Sequence, residues 1–172
     1  MSLMKKVKKR TKHVKNISVH LVYKLTGRGW SRCELTIEKQ HIVLTASYLG
    51  DALSELIHAV TSVMTGEKKS FAIYEEEPGQ YFWTFECTFQ DNGVILRILW
   101  SDESWGRAPD EDCREVFAAH CSVVVFARAL LQMLDEVLEE YGEEGYKREW
   151  EGHDFPTQQH AYLKRILSYY TD

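Results

Sequence analysis

Few groupings in this chain have the residue types and spacing that chemistry requires. Glu55-x-x-His58 places a carboxylate and an imidazole one helical turn apart, a spacing that can hold a metal ion. A di-metal helical site needs that motif twice plus further carboxylates, and one copy occurs here, so a solvent-facing polar pair is the better account. His120-Cys121, with Cys113 nearby, offers a thiol beside a base. If Cys121 opens the helix that follows, the helix N-terminus lowers its pKa and favours the thiolate. The competing account is a small apolar residue packed under a sheet. Cys121, His120 and His58 are therefore the candidate reactive residues, while no residue is assigned a catalytic or metal-binding role. Thr65–Ser70 lacks the spacer and second glycine of a phosphate loop, and neither a Gly-x-Gly-x-x-Gly nor a Gly-x-Ser-x-Gly sequence is present. No cofactor is expected.

The acidic groups Glu75–Glu77, Asp102/Glu103, Asp110–Asp112 and Glu139–Glu144 match no calcium-loop spacing and read as solvated faces. Trp105 stands among them, beside Asp102, Glu103 and Arg107. It is either an interface anchor with a charged rim or a ring folded back on the sheet edge. The candidate partner-binding set is Glu76, Glu77, Asp102, Glu103, Trp105 and Asp110.

Charge is unevenly placed. Residues 1–16 hold seven Lys/Arg and no acid, leaving 14 of the 21 basic residues against all 26 acidic ones, a balance of −12 over the remainder. An acidic body repels nucleic acid and favours a basic protein partner. The basic arm alone could touch phosphates, although a flexible solvated tail is the simpler reading. Four cysteines form no Cys-x-x-Cys pair, no run of about 18 apolar residues exists, and the basic N-terminus leads into an alternating pattern rather than an apolar signal core. A cytoplasmic protein with reduced thiols is expected.

The elements that must position these groups follow from periodicity. Ser122–Tyr141 repeats apolar residues at steps of three and four, giving a one-sided helix with Ser122 as cap and Gly142 as stop. Tyr48–Thr65 shows the same period through Leu53, Leu56, Ile57, Val60 and Val63, and Thr157–Tyr170 closes the chain as a third helix. Strands are expected over Ile17–Leu25, Trp30–Glu38, His41–Ser47, Ser70–Glu76 and Tyr81–Gln90, with a strong hairpin signal at Asp91-Asn92-Gly93, and Val94–Trp100, apolar at nearly every position except Arg97, reads as a strand covered on both faces. Arg114–Ala119 reads as a further short strand, or else as an extension of the main helix. Tyr81, Trp83, Phe85 and Phe89 share one strand face and read as core. The expectation is an α+β fold: one domain over residues 17–172, with a mostly antiparallel sheet of five to seven strands and about three helices packed on one face. An unpaired sheet edge or the end of the last helix could support a homo-oligomer.

Tyr48–His58, Glu75–Trp83 and Gly142–Thr157 resemble segments of small uncharacterised bacterial proteins, and the element order is similar to that of immunity proteins from bacterial toxin systems. The likeness rests on structural turns and caps and carries over no functional residue. It implies a cytoplasmic, non-enzymatic protein-binding domain whose acidic surface could cover a basic nuclease toxin. A small-ligand binder or enzyme with a sheet–helix pocket using Cys121, His120 or His58 is the alternative.

Overall fold

Alternating residues in the first third of the chain build an antiparallel meander in the computed structural model, which describes residues 17–88, 93–103 and 106–170. The basic arm, Phe89 to Asn92 and Trp105 lie outside the described residues. Strands β1 (Val19–Gly27), β2 (Trp30–Ile37) and β3 (Gln40–Ser47) form a sheet in that order, with Leu21 opposite Leu35 and Tyr23 opposite Cys33. Val19, Leu21, Tyr23, Cys33, Leu35, Ile37 and Leu44 are buried on its inner face. The opposite face carries charged and polar side chains together with exposed Val22 and Val43.

The period then switches. Helix α1 (Ala52–Met64) starts at Asp51, whose Oδ1 accepts from the Ser54 backbone N–H at 3.3 Å. It buries Leu53, Leu56, Ile57 and Val60. Strands β4 (Lys69–Glu75), β5 (Gln80–Cys87), β6 (Gly93–Ser101) and β7 (Arg114–Ser122) make a second antiparallel sheet in chain order. The expected single sheet of five to seven strands is thus corrected, among the described residues, to seven strands in two sheets, of three and four. Helix α1 is the physical reason, because it lies along β4 and takes up its edge. The Ile73 N–H donates to Glu55 Oε2 at 3.3 Å, and Ser70 Oγ donates to the Ala59 carbonyl at 2.6 Å. A side chain from a helix thus satisfies an N–H that a β3–β4 ladder would have used.

Helix α2 (Val123–Glu149) is capped by Ser122, whose Oγ accepts from Val125 N–H at 3.4 Å. Phe126, Leu130, Leu134 and Val137 are fully buried along its stripe. Gly142 takes the left-handed φ of 64° expected of a stop, but helix resumes beyond it and brings Tyr146 and Trp150 into the core. The helix therefore runs past the expected end at Tyr141. It lies along β1, where the Leu25 N–H donates to the Tyr141 hydroxyl at 3.2 Å. Helix α3 (Thr157–Leu167) packs on α1 and α2 through Leu163, Ile166 and Leu167. No helix among the described residues is long and apolar enough to cross a membrane.

Candidate functional site

In the antiparallel second sheet, the β4–β5 turn and the β6–β7 loop emerge at one end. Gln80 begins β5 opposite Ser101, and its Nε2 donates to the Gly106 carbonyl at 2.6 Å, tying the loop to the turn. Gly79, at φ 94°, passes so close to Trp100 that a Cβ there would sit 2.5 Å from its ring. Two acidic segments far apart in sequence thus meet: Glu75 to Glu77 on one side, Asp102, Glu103 and Asp110 to Asp112 on the other.

These carboxylates have different roles. Asp102 Oδ1 accepts from the Trp100 indole N–H at 2.7 Å, and that indole packs tilted against Tyr81 with ring centres 4.7 Å apart. Asp110 is paired with Arg107 and lies 3.6 Å from Arg97, whose Nε also donates to Glu115 at 2.7 Å. Asp102 and Asp110 thus hold the loop in shape. Glu77, Glu103, Glu111 and Asp112 are exposed and have no ion pair among the described residues. Burial raises the Glu76 carboxyl above the ordinary carboxylate range, with the Glu77 charge adding to it against a Glu77 backbone hydrogen bond. Glu75 is raised as well, by burial and then by Glu55. Beside this acidic end, on the outward face of the sheet, Phe71 is 45% exposed, and the Arg107 guanidinium sits 5.1 Å from its ring and 4.5 Å from that of buried Phe82. In the sequence Arg107 stands out only as a neighbour of Trp105, and no pattern there announces that Gln80 ties the loop to the turn.

The candidate reactive residues are dispersed. Cys121 lies within β7, fully buried, and burial pushes its thiol up to about 12. That is the reverse of the lowering expected at a helix start, because Cys121 is buried in the strand ahead of the Ser122 cap. His120 neighbours Cys121 along a strand, so its side chain projects from the other face, where Nε2 is 3.4 Å from Thr88 Oγ1. His58 is exposed on α1, while Glu55, its expected companion, is turned to the β4 backbone. No three His, Cys, Asp or Glu side chains among the described residues are placed to hold a metal.

A third feature was not legible from spacing. The phenols of Tyr23, Tyr74 and Tyr146 and the indoles of Trp83 and Trp150 are buried in the core, where Tyr23 interacts with Tyr146 and Ser31, and Tyr74 with Cys33. The rings form neighbouring pairs: Tyr74 with Trp83 at 5.3 Å and Tyr23 with Trp150 at 6.4 Å.

Comparison with known proteins adds no identity: no family model matches the chain, and neither a curated protein nor a solved structure is similar to it.

Proposed function

We propose that this chain is a non-enzymatic protein-binding domain that presents the acidic end of its second sheet to a basic partner. The observation that carries the reading is the Gln80–Gly106 hydrogen bond, which joins two separate acidic segments into one surface. Glu77, Glu103, Glu111 and Asp112 supply unpaired negative charge, and exposed Phe71 beside them supplies an aromatic anchor. An apolar centre with a charged rim is the composition of an energetic interface centre. Complementary charge speeds encounter and selects the partner more than it adds affinity. A basic nuclease toxin is the partner class this reading favours, on the resemblance of the element order to that of immunity proteins.

The test compares two charge reversals during capture from source cells. A triple variant Glu77→Lys, Glu103→Lys, Glu111→Lys alters the acidic end, while Glu139→Lys alters an exposed position on α2. Wild type and the α2 variant should retain one basic protein at low salt and release it at about 0.5 M salt, where the screening length falls to several ångströms. The triple variant should lose it. Equal retention by all three proteins sinks the proposal.

A further inference from the structure

We propose that the outer edge of β7 is the interface for a second copy of this chain, paired antiparallel about a two-fold axis at Ala118. The contact is made by backbone groups of β7 and does not rest on the reading of the acidic end.

The edges of the two sheets are not treated alike. At β4, Glu55 Oε2 accepts from the Ile73 N–H at 3.3 Å. At β1, the Tyr141 hydroxyl accepts from the Leu25 N–H at 3.2 Å, and β3 lies beside β4. Strand β7 ends the second sheet, and among the described residues positions 114–119 make no backbone hydrogen bond beyond the β6 ladder. Natural sheets blunt such an edge with Lys, Pro or inward-pointing charge. Residues 116–122 read VFAAHCS and hold none of these.

The ladder fixes which groups point outward. The Thr88 N–H donates to the Gly93 carbonyl, so Gly93 turns its peptide groups toward β5. Val94 then faces β7, and antiparallel alternation commits the backbone groups of Cys121, Ala119 and Phe117 to β6. Ala118, between them, directs its N–H and C=O away from the sheet. A register shift between Ile98 and Leu99 ends the regular ladder beyond Phe117, which leaves Arg114 and Glu115 outside it.

A second copy supplies what this edge lacks. With Ala118 opposite Ala118 at the axis, Phe117 comes opposite Ala119 of the second copy, and Val116 opposite its His120. The methyl side chains at the axis leave room for the two backbones to approach. No like charges meet, because the charged residues of the strand lie outside the ladder. Antiparallel pairing also separates the acidic ends. The acidic β6–β7 loop feeds the start of β7, so the two copies carry these loops at opposite ends of one continuous sheet. Parallel pairing would set the like charges side by side. The contact is isologous and closes on itself, so it yields a dimer and not a fibre.

The experiment uses the full chain. Sedimentation equilibrium at micromolar concentration should give twice the chain mass. Ala118→Lys sets two like charges at the axis, and Ala118→Pro removes the outward N–H while sparing the bonds to β6. Both variants should sediment as monomers with the far-ultraviolet circular dichroism of wild type. Glu139→Lys, at an exposed position on α2, is the control and should stay dimeric. Hydrogen exchange reads the same contact without a substitution, so a variant that fails to fold does not decide the matter. Exchange of the Ala118 amide should slow as wild-type protein is concentrated, while that of the Ala119 amide, bonded within the sheet, should not change. A wild-type monomer, a dimer that survives Ala118→Lys, or an Ala118 amide indifferent to concentration overturns the proposal.

Discussion

Gln80 Nε2 lies 2.6 Å from the carbonyl oxygen of Gly106, a bond between residues 26 positions apart that joins the β4–β5 turn to the β6–β7 loop. Its neighbours reinforce the junction: Arg107 caps Phe82, and Asp102 holds the Trp100 indole. The acidic end of the second sheet is therefore a built surface, and its parts can be loosened one at a time.

Replacing Gln80 by Ala should free the loop without unfolding the domain. Gly106 is exposed and water can replace the lost donor, so the expected cost is about 0.5–1.5 kcal/mol. Hydrogen exchange at residues 106–113 should quicken while the core amides of β5 and β6 stay protected. Unchanged exchange in the loop would show that the bond does not hold it.

Gly79→Ala should be far more damaging. A Cβ at this position meets the Trp100 ring at 2.5 Å and the Ser101 carbonyl oxygen at 2.7 Å, on a backbone with φ of 94°. Both the ring and the backbone would have to move, and strain at such a site costs on the order of 1–3 kcal/mol before the clash is counted. Urea unfolding should show a lowered midpoint, and near-ultraviolet circular dichroism should report the displaced indole. A midpoint equal to that of wild type would contradict the contact.

The four thiols should divide into two classes. Cys33 and Cys121 are buried, and Cys87 and Cys113 are half-buried. A disulfide-exchange reagent at neutral pH should modify Cys87 and Cys113 in the native state, and the other two only after unfolding. Rapid native labelling of Cys121 would restore the nucleophile that the strand placement argues against.

Alkaline pH should destabilise the fold. Burial pushes both the Cys33 and Cys121 thiols up to about 12 from an ordinary 9.0, with Tyr74 partly opposing the rise at Cys33. A raised folded-state pKa means that the native state holds the proton more tightly than the unfolded chain. That contribution is complete below about pH 9 and is lost as pH climbs through about 12. The buried phenols, raised by desolvation as well, act in the same direction. Urea midpoints measured from pH 8 to pH 11 should fall, and Cys121→Ala should flatten the fall. A flat profile in wild type would show that neither thiol titrates differently on folding.

Leu130 lies fully buried in the middle of the α2 stripe, and Leu130→Ala should cost about 2–5 kcal/mol through lost transfer energy and the cavity left behind. Equilibrium urea denaturation measures it. A cost under about 1 kcal/mol would mean that α2 is not packed as described.

The local pattern was sufficient wherever a single element decides the outcome. Leu53, Leu56, Ile57 and Val60 repeat at helical steps, and Trp83 and Phe85 alternate with Thr84 and Glu86, so each buried face was legible before any coordinates. Ser122 as a cap and Gly142 at positive φ were legible for the same reason, since both depend on a few neighbouring residues. The division into two sheets was not. It turns on Glu55 reaching the Ile73 N–H, a contact between a helix and a strand edge that no period in either segment announces. Nor could periodicity show that the strand beginning at Arg114 runs on to Ser122, which buries Cys121 within the sheet and raises its thiol. Alternation placed Tyr23 inward, but no period marked Tyr146, and the approach of Tyr23 to Tyr146 depends on how β1 and α2 are stacked.

What this amino-acid order determined alone is therefore its helices, its strands and the side of each that shuns water, because backbone geometry and side-chain spacing act over a few residues. Tertiary structure decided which edges are plugged by helices, which carboxylates stay unpaired and which phenols converge. Those outcomes are free-energy differences between alternative packings of distant segments, and the pattern within any one segment is the same for all of them.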